Sequence, residues 1–391
     1  MKITIKEYKA RRIVNKHKYL DSWFWTRYSA HPYIGCVHGC EYCYTREEKY
    51  APYDDPADFV RTIKVKTNAP TLLQKELPRF PRDLISIGDW QPIEKRYRLS
   101  RRMLQVCHDL KFPVFILEKS DLVVQDLNLL RQMASKDITV LTGFSIITTK
   151  DDKTRRLFEP GAPSVKNRFN AMRKFARAGL YTGTALIPVL PYIYDDDENL
   201  EEVIERTKRS GGQYVLVGSL TLGRRQREWF YDALRRYDPS LLQHYEQLYD
   251  HNTAYAPHPN YVADLGRRVE KLCAKYGLRD RIPRPIPSNH LLAFNMRVAE
   301  ILYDRAYRLT LKGVTGFREF ALRKAGRIVD SQSQDLSDVL EKEGRAGLRA
   351  IHGIGPKLSA EIESAILEAK AEVHDRSDRA KVFSYSALLS F

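Results

Sequence analysis

Ile138-Thr139-Val140-Leu141-Thr142-Gly143-Phe144-Ser145-Ile146 reads as a β-strand, rich in the β-branched and aromatic residues that suit a pleated surface. A helical pattern follows over 165–178 and closes at Gly179, a natural C-terminal cap. A second strand, Thr182-Gly183-Thr184-Ala185-Leu186-Ile187, comes next. Strand, helix and strand in that order predict two parallel strands joined by a right-handed crossover. The same alternation extends outward in both directions. Strands are expected at 84–87, 113–117 and 214–218, helices at 100–110, 123–134 and 200–210, and a weak first strand at Pro32-Tyr33-Ile34. About six such units predict an α/β fold built as an open, partial (β/α)6 barrel.

Parallel sheets gather chemistry at the C-terminal ends of their strands. Here those ends carry Asp89, Lys119, Ser120 and Ser145. The weak first strand runs into Cys36-Val37-His38-Gly39-Cys40-Glu41-Tyr42-Cys43-Tyr44. A cubane iron–sulfur cluster usually takes four thiolates, so three clustered cysteines can hold three irons and leave the fourth open. Zinc is the competing reading, with His38 as a further ligand. His38 falls inside the cysteine run, however, whereas zinc sites usually use two separated pairs. Cys107 and Cys273 fall in helical patterns and read as buried small apolar residues.

The 391 residues carry 65 Lys+Arg against 49 Asp+Glu, a net charge of +16 that favours a polyanionic partner, nucleic acid first. No apolar run approaches the ~18 residues of a membrane span, and the start of the chain lacks a signal-peptide stretch. The expected address is the cytoplasm, with no membrane partner. Residues 1–30, including Trp23-Phe24-Trp25, read as a lead-in that packs on the barrel. The barrel is expected over 31–275. After the Pro/Arg-rich stretch at 279–287 only helices are expected, at 291–311, at 316–324 and from 336 onward, so 276–391 reads as a helical domain.

The cysteine run resembles the cluster loop of radical S-adenosylmethionine (SAM) enzymes. Its wider context resembles the spore photoproduct lyase-like branch. The matching pieces are the run from Pro32 to Tyr44, Asp89-Trp90-Gln91-Pro92-Ile93-Glu94, Glu118-Lys119-Ser120, Ser145-Ile146-Ile147-Thr148-Thr149, Glu159-Pro160-Gly161-Ala162-Pro163 and Arg168, in that order. The resemblance implies a [4Fe–4S] cluster on Cys36, Cys40 and Cys43, SAM on its open iron, and an electron donor such as flavodoxin or ferredoxin. Reductive cleavage of SAM would yield a 5′-deoxyadenosyl radical that takes a substrate hydrogen. Tyr42 would lie near the adenine, Asp89 would hold the ammonium, Lys119 the carboxylate, and Ser145 would donate a hydrogen bond. Glu94 and Arg168 would be outer or ribose contacts, and Tyr44 a radical relay. One departure stands out. The branch's best-known member uses a cysteine at the end of the second strand, and here Ser86-Ile87-Gly88-Asp89 has none. Repair of the spore thymine lesion is therefore not expected.

A second resemblance lies in Ile351-His352-Gly353-Ile354-Gly355-Pro356-Lys357, within 347–369. It is similar to the helix–hairpin–helix element of DNA repair and processing proteins. Two glycines allow a tight turn, and Pro356 suits the first position of a helix. Backbone N–H groups of Gly353, Ile354 and Gly355, with Lys357, would then grip a phosphate without reading bases. Arg279, Arg281 and Arg284 in the linker add charge. The expected function is radical repair or modification of a nucleic acid, DNA by family analogy. The alternatives are a radical enzyme acting on RNA or another substrate, and a non-catalytic iron–sulfur or zinc protein that binds nucleic acid.

Overall fold

A computed structural model describes residues 3–20, 22–250, 255–286, 290–314 and 316–378, with side chains through residue 372. The chain forms two compact units, Met1–His17 with Thr26–Ile282, and Lys18–Trp25 with Pro283–Phe391.

The first unit is α/β. Its main sheet joins β2 (Asn15–Lys16), β3 (Tyr28–Ala30), β6 (Ile85–Ile87), β7 (Val114–Glu118), β8 (Val140–Ser145), β9 (Tyr181–Val189) and β10 (Tyr214–Ser219). Their order is β10-β9-β8-β7-β6-β3-β2. From β3 to β10 every pairing is parallel, and only β2 runs antiparallel at the edge. Six parallel strands in sequential order, joined by helices, are consistent with a partial barrel. Three further strands, β1 (Thr4–Tyr8), β4 (Tyr33–Ile34) and β5 (Thr62–Lys66), make a separate small sheet in the order β1-β5-β4.

Residues Pro32-Tyr33-Ile34 therefore are not the first barrel strand. Tyr33 and Ile34 pair antiparallel with Val65 and Lys64, and Tyr28–Ala30 takes the barrel position beside β6. Such short strands carry too little periodicity to be told apart along the chain.

Strand β8 is buried along its whole length, as expected where helices cover both faces of a parallel sheet. Its neighbours show why glycine interrupts two apolar strands. Gly143 pairs with Gly183, and Gly183 with Tyr214. A Cβ at Gly143 would lie 2.6 Å from the Tyr214 hydroxyl, and one at Gly183 would lie 2.3 Å from the Tyr214 carbonyl oxygen. The two glycines make room for a buried tyrosine that donates to Thr142 O at 2.6 Å. Two of the crossover helices start on side-chain caps. Ser164 accepts from Asn167 N ahead of helix Val165–Arg177, and Asp196 from Asn199 N ahead of helix Asp197–Arg209.

The second unit is helical, with helices Ala293–Leu311, Phe317–Asp330, Leu336–Ala350 and Pro356–Asp378. The grouping of the lead-in differs from the sequence reading. Lys18–Trp25 belongs to this unit, where the Trp25 ring meets Tyr303 edge-on at 5.8 Å and Arg327 lies 4.1 Å over the Tyr19 ring. No helix among the described residues is long and apolar enough to cross a membrane.

Candidate functional site

Parallel strands place the ends of β6, β7 and β8 on one rim. Lys119, just past β7, donates to Ser145 Oγ at the end of β8, and Ser145 Oγ donates in turn to Ile187 O at 3.2 Å. The Lys119 ammonium also lies 5.3 Å from the centre of the Tyr42 ring and 3.6 Å from Glu159. Structure thus joins Tyr42, Lys119 and Ser145 in one cluster. Its hub is Glu159, which accepts from the Tyr42 hydroxyl and from Arg168. Burial pushes the Glu159 carboxyl up, but Arg168 and Lys119 outweigh it and bring it down to about 2.

Arg168 was expected as an outer or ribose contact. It is buried, and its donors go to Glu159, Pro163 O and Ser145 O. It braces the cluster from within. Glu94 is likewise buried, accepting from the Tyr33 hydroxyl and from Arg101 N at 3.2 Å. Burial pushes its carboxyl up to about 7. Through Tyr33 it anchors the strand that leads into the cysteine loop. Both residues spend their hydrogen bonds inside the protein.

Asp89 sits on the Cys36 side of the rim. Its carboxylate accepts twice from Gln91, at 2.9 Å from Nε2 and 3.2 Å from the backbone N–H. Burial still pushes it up to about 6. Glu118 is raised further, by burial and then by Asp89. Asp89 and Glu118 thus lie close enough to act on each other, whereas the carboxylate on the Tyr42 side, Glu159, is flanked by the cations Lys119 and Arg168.

The cysteine loop is tied down by residues that were assigned no role from the sequence. Gln91 brackets Cys36, donating to Gly35 O at 3.0 Å and accepting from Val37 N at 3.1 Å. Gly35 holds φ +86°, and a Cβ there would come within 2.7 Å of Thr62 O, so the turn demands glycine. Arg46 is buried and donates to Cys40 O at 3.0 Å and Gly39 O at 2.9 Å. Its guanidinium stacks on the Phe59 ring at 4.7 Å and the Trp229 ring at 4.3 Å. From helix Arg224–Tyr237, Gln226 donates to Tyr42 O at 2.6 Å, Trp229 donates to Glu41, and Arg236 pairs with Glu41 at 2.9 Å. The pattern Cys-x3-Cys-x2-Cys-x2-Arg was visible in the chain, but Arg46 finds its aromatic neighbours only across long sequence distances.

Cys36 and Cys43 are partly exposed, Cys40 is buried, and none of the three is in a disulfide. Burial pushes the Cys36 thiol well up and the Cys40 thiol to about 12. Their Coulombic neighbours differ. Asp89 acts on Cys36, while Lys119, Glu159 and Arg168 act on Cys40. Iron would have to displace protons from such thiols, as metals do on binding cysteine. Among the described residues no group of three or more His, Cys, Asp and Glu converges on a single metal ion. A cubane spreads its three thiolates over three irons, so its ligands need not converge. His38 Nε2, inside the loop, is buried and has no hydrogen-bond partner among the described residues. An orphaned polar atom beside three soft donors fits a loop shaped to enclose another group. Tyr44 lies on the surface, 57% exposed, with its ring edge-on to Tyr50 at 5.3 Å. That placement adds nothing to a radical relay. Cys107 and Cys273 are buried away from solvent, as read from the sequence.

In the helical unit, the expected hairpin is a turn between helices Leu336–Ala350 and Pro356–Asp378. The first of these breaks at Gly344, leaving a short final segment before the turn. Gly353 takes φ +87°. Ile354 is buried, and its N–H donates to Ile351 O at 3.1 Å. That N–H closes the turn and does not point outward, contrary to the sequence expectation. Gly355 faces open space, and Lys357 is exposed. Arg284 is also withdrawn from any surface role, because it is buried against Asp330 and Met296 O.

No protein-family model matches the chain. Over 267 residues it is 32% identical to the uncharacterized protein Rv2578c of Mycobacterium tuberculosis, spanning 66% of this chain and 77% of that protein. The chain belongs to the Rv2578c family. Another relative, the uncharacterized protein MJ0683 of Methanocaldococcus jannaschii, is 29% identical over 272 residues, 69% of this chain and 95% of its own length. A more distant similarity, 23% over 232 residues, links this member of the Rv2578c family to a protein of Pseudomonas phage M6 named a radical SAM Nalpha-GlyT isomerase. That match covers 58% of this chain and 46% of the phage protein. It suggests the radical SAM superfamily, and so an enzyme of that class.

Proposed function

We propose that this chain is a radical SAM enzyme that acts on a nucleic acid, DNA in preference to RNA. The observation that carries the reading is the sorting of charge around the cysteine loop. Asp89 lies on the Cys36 side, Glu118 feels both Asp89 and Lys119, and Lys119 with Ser145 lies beside Tyr42, where Arg168 offsets the buried Glu159. An amino-acid zwitterion needs an acid for its ammonium and a cation for its carboxylate. The methionine end of SAM is such a zwitterion, and the Tyr42 ring gives an aromatic face near the cation. Cys36, Cys40 and Cys43 would hold a [4Fe–4S] cluster. When bound, the cluster and SAM would supply one-electron cleavage of the sulfonium and a carbon radical for hydrogen abstraction. Asp89 would hold the ammonium, Lys119 the carboxylate, and Ser145 would keep the lysine aimed. Glu159 and Arg168 would fix Tyr42. Flavodoxin or ferredoxin would serve as donor.

In the helical unit, the 351–357 turn resembles a helix–hairpin–helix, with Gly355 and Lys357 presented to a phosphate backbone. Burial of Ile354 leaves that contact to the glycines and the lysine. The net charge of +16 supports a polyanionic partner.

The test is anaerobic reconstitution followed by measurement of 5′-deoxyadenosine from SAM with a reductant, with duplex DNA, single strands or RNA present. The parent is expected to release it, with stimulation by DNA, and Cys40→Ala to release none. A reconstituted parent that binds zinc and never cleaves SAM overturns the reading.

A further inference from the structure

The first turn of helix Phe317–Asp330 exposes two phenylalanines, on either side of Arg318 and Glu319. Phe317 is 98% exposed, Phe320 57% and Val314 45%. One exposed hydrophobic residue is ordinary, but a run of them marks an interaction surface. Positions 317, 320, 324 and 328 follow the spacing that puts side chains on one helix face. That face ends at the hairpin turn. A Cβ built on Gly353 would lie 3.2 Å from Ile328 Cδ1 and 3.7 Å from Lys324 Nζ. A stripe therefore runs from two exposed rings, through a lysine about 10 Å along the helix, to the glycine turn.

Charge along the stripe selects the occupant. Glu319 is engaged by Arg323 in an ion pair. Glu361 is engaged by Arg305 at 3.2 Å and Arg318 at 3.8 Å. Lys324 and Lys357 remain exposed. Aromatic rings beside exposed cations form the arrangement that binds single strands, in which bases stack on rings and phosphates meet the charges. A second copy of this chain would bring the same cations against themselves.

We propose that Phe317 and Phe320 stack unpaired bases of a nucleic acid whose backbone is held at the 353–357 turn. This rests on the hairpin reading given above. The hairpin grips the backbone without regard to sequence, and the two rings select for unpaired bases next to it.

The test uses the full chain, a blunt duplex, and the same duplex with a short single-stranded overhang carrying 2-aminopurine, each as DNA and as RNA. Phe317→Ala/Phe320→Ala is expected to bind the blunt duplex as the parent does. It should bind the overhang about tenfold more weakly, within the range for losing a stacked base, and lose the fluorescence quench. Phe317→Trp/Phe320→Trp should keep both. The salt dependence should stay as in the parent, since no phosphate contact is removed. Unchanged overhang affinity and quench in the alanine variant overturn the proposal while leaving the hairpin reading intact. A parent dimer that the alanine variant splits in sedimentation overturns it in favour of self-association. A parent that retains neither duplex nor overhang overturns the hairpin reading together with this one. The DNA and RNA arms show which sugar the site prefers.

Discussion

The cysteine loop and the hairpin turn are both short, glycine-containing segments, yet they are held in opposite ways. Around the cysteines, buried polar side chains do the holding. Gln91 brackets Cys36, Arg46 takes two loop carbonyls, and Gln226 takes a third. At the hairpin, the Ile354 N–H bond to Ile351 O and a buried isoleucine close the turn, while Gly355 and Lys357 stay in solvent. Buried polar contacts are costly to leave half made, so they fix one geometry. An exposed turn leaves its charges free for a partner that brings its own shape. Segments alike in sequence can therefore serve to place atoms or to present charge.

The largest expected effect lies in the buried cluster beside the loop. Glu159→Ala would strand Arg168 without its counter-charge, at a cost of about 3–5 kcal/mol in urea unfolding. The pH dependence follows from the same pair. The folded Glu159 carboxyl lies near 2 against its ordinary 4.5, so its stabilisation is complete above 4.5 and is lost as pH falls through about 2. Glu159→Gln should flatten that acid-side loss. If both variants unfold as the parent does at every pH, the loop is not held by buried charge, and the contrast with the hairpin disappears.

Arg46→Leu comes next. It removes the donor from the Gly39 carbonyl and one of two donors from the Cys40 carbonyl, which keeps the Cys43 N–H, and takes a cation from between two rings, with an expected loss of about 2–4 kcal/mol. Iron retained after reconstitution should fall with it, and Arg46→Lys should recover part of both. A loss no larger than that of the exposed Arg235→Ala, expected within ~0.5 kcal/mol, would show that Arg46 does not hold the loop.

The smallest stability effect belongs to the hairpin. A Cβ at Gly355 would meet nothing within 4 Å among the described residues, so Gly355→Glu should leave the melting temperature unchanged. Binding to duplex DNA at low salt should nevertheless weaken, because a carboxylate would face phosphate. Gly353→Ala would sharpen the contrast by losing about 1 kcal/mol, since its φ of +87° disfavours any side chain. Equal DNA binding by Gly355→Glu and the parent would remove the hairpin from the functional account.

Much of the fold was legible where strands are long and helices strongly periodic. The strand read at 138–146 is β8 (Val140–Ser145), and the helix read at 165–178 is Val165–Arg177. What escaped was short or non-local. Strand β3 has three residues, and the small β1-β5-β4 sheet unites segments about 60 residues apart. Lys18–Trp25 was read within a lead-in that packs on the barrel, but its aromatic residues pack in the helical unit. In the candidate site, Tyr42, Lys119 and Ser145 were named from the sequence, and the structure brings them into contact. Glu159 was quoted only as part of a matching motif, because a carboxylate shows its role only when its cations are known.

The sequence by itself determined the alternation that builds a parallel sheet, the three-cysteine loop at its rim and the glycine turn near its end. These rest on local periods and on spacings short enough to be read along the chain. Tertiary structure decided which carboxyls lie beside which cysteine, that Arg168 and Glu94 serve the protein's interior, that Arg46 holds the loop, and that Ile354 closes its turn. Burial and charge pairing are sums over neighbours from distant parts of the chain, and only folding brings those neighbours together.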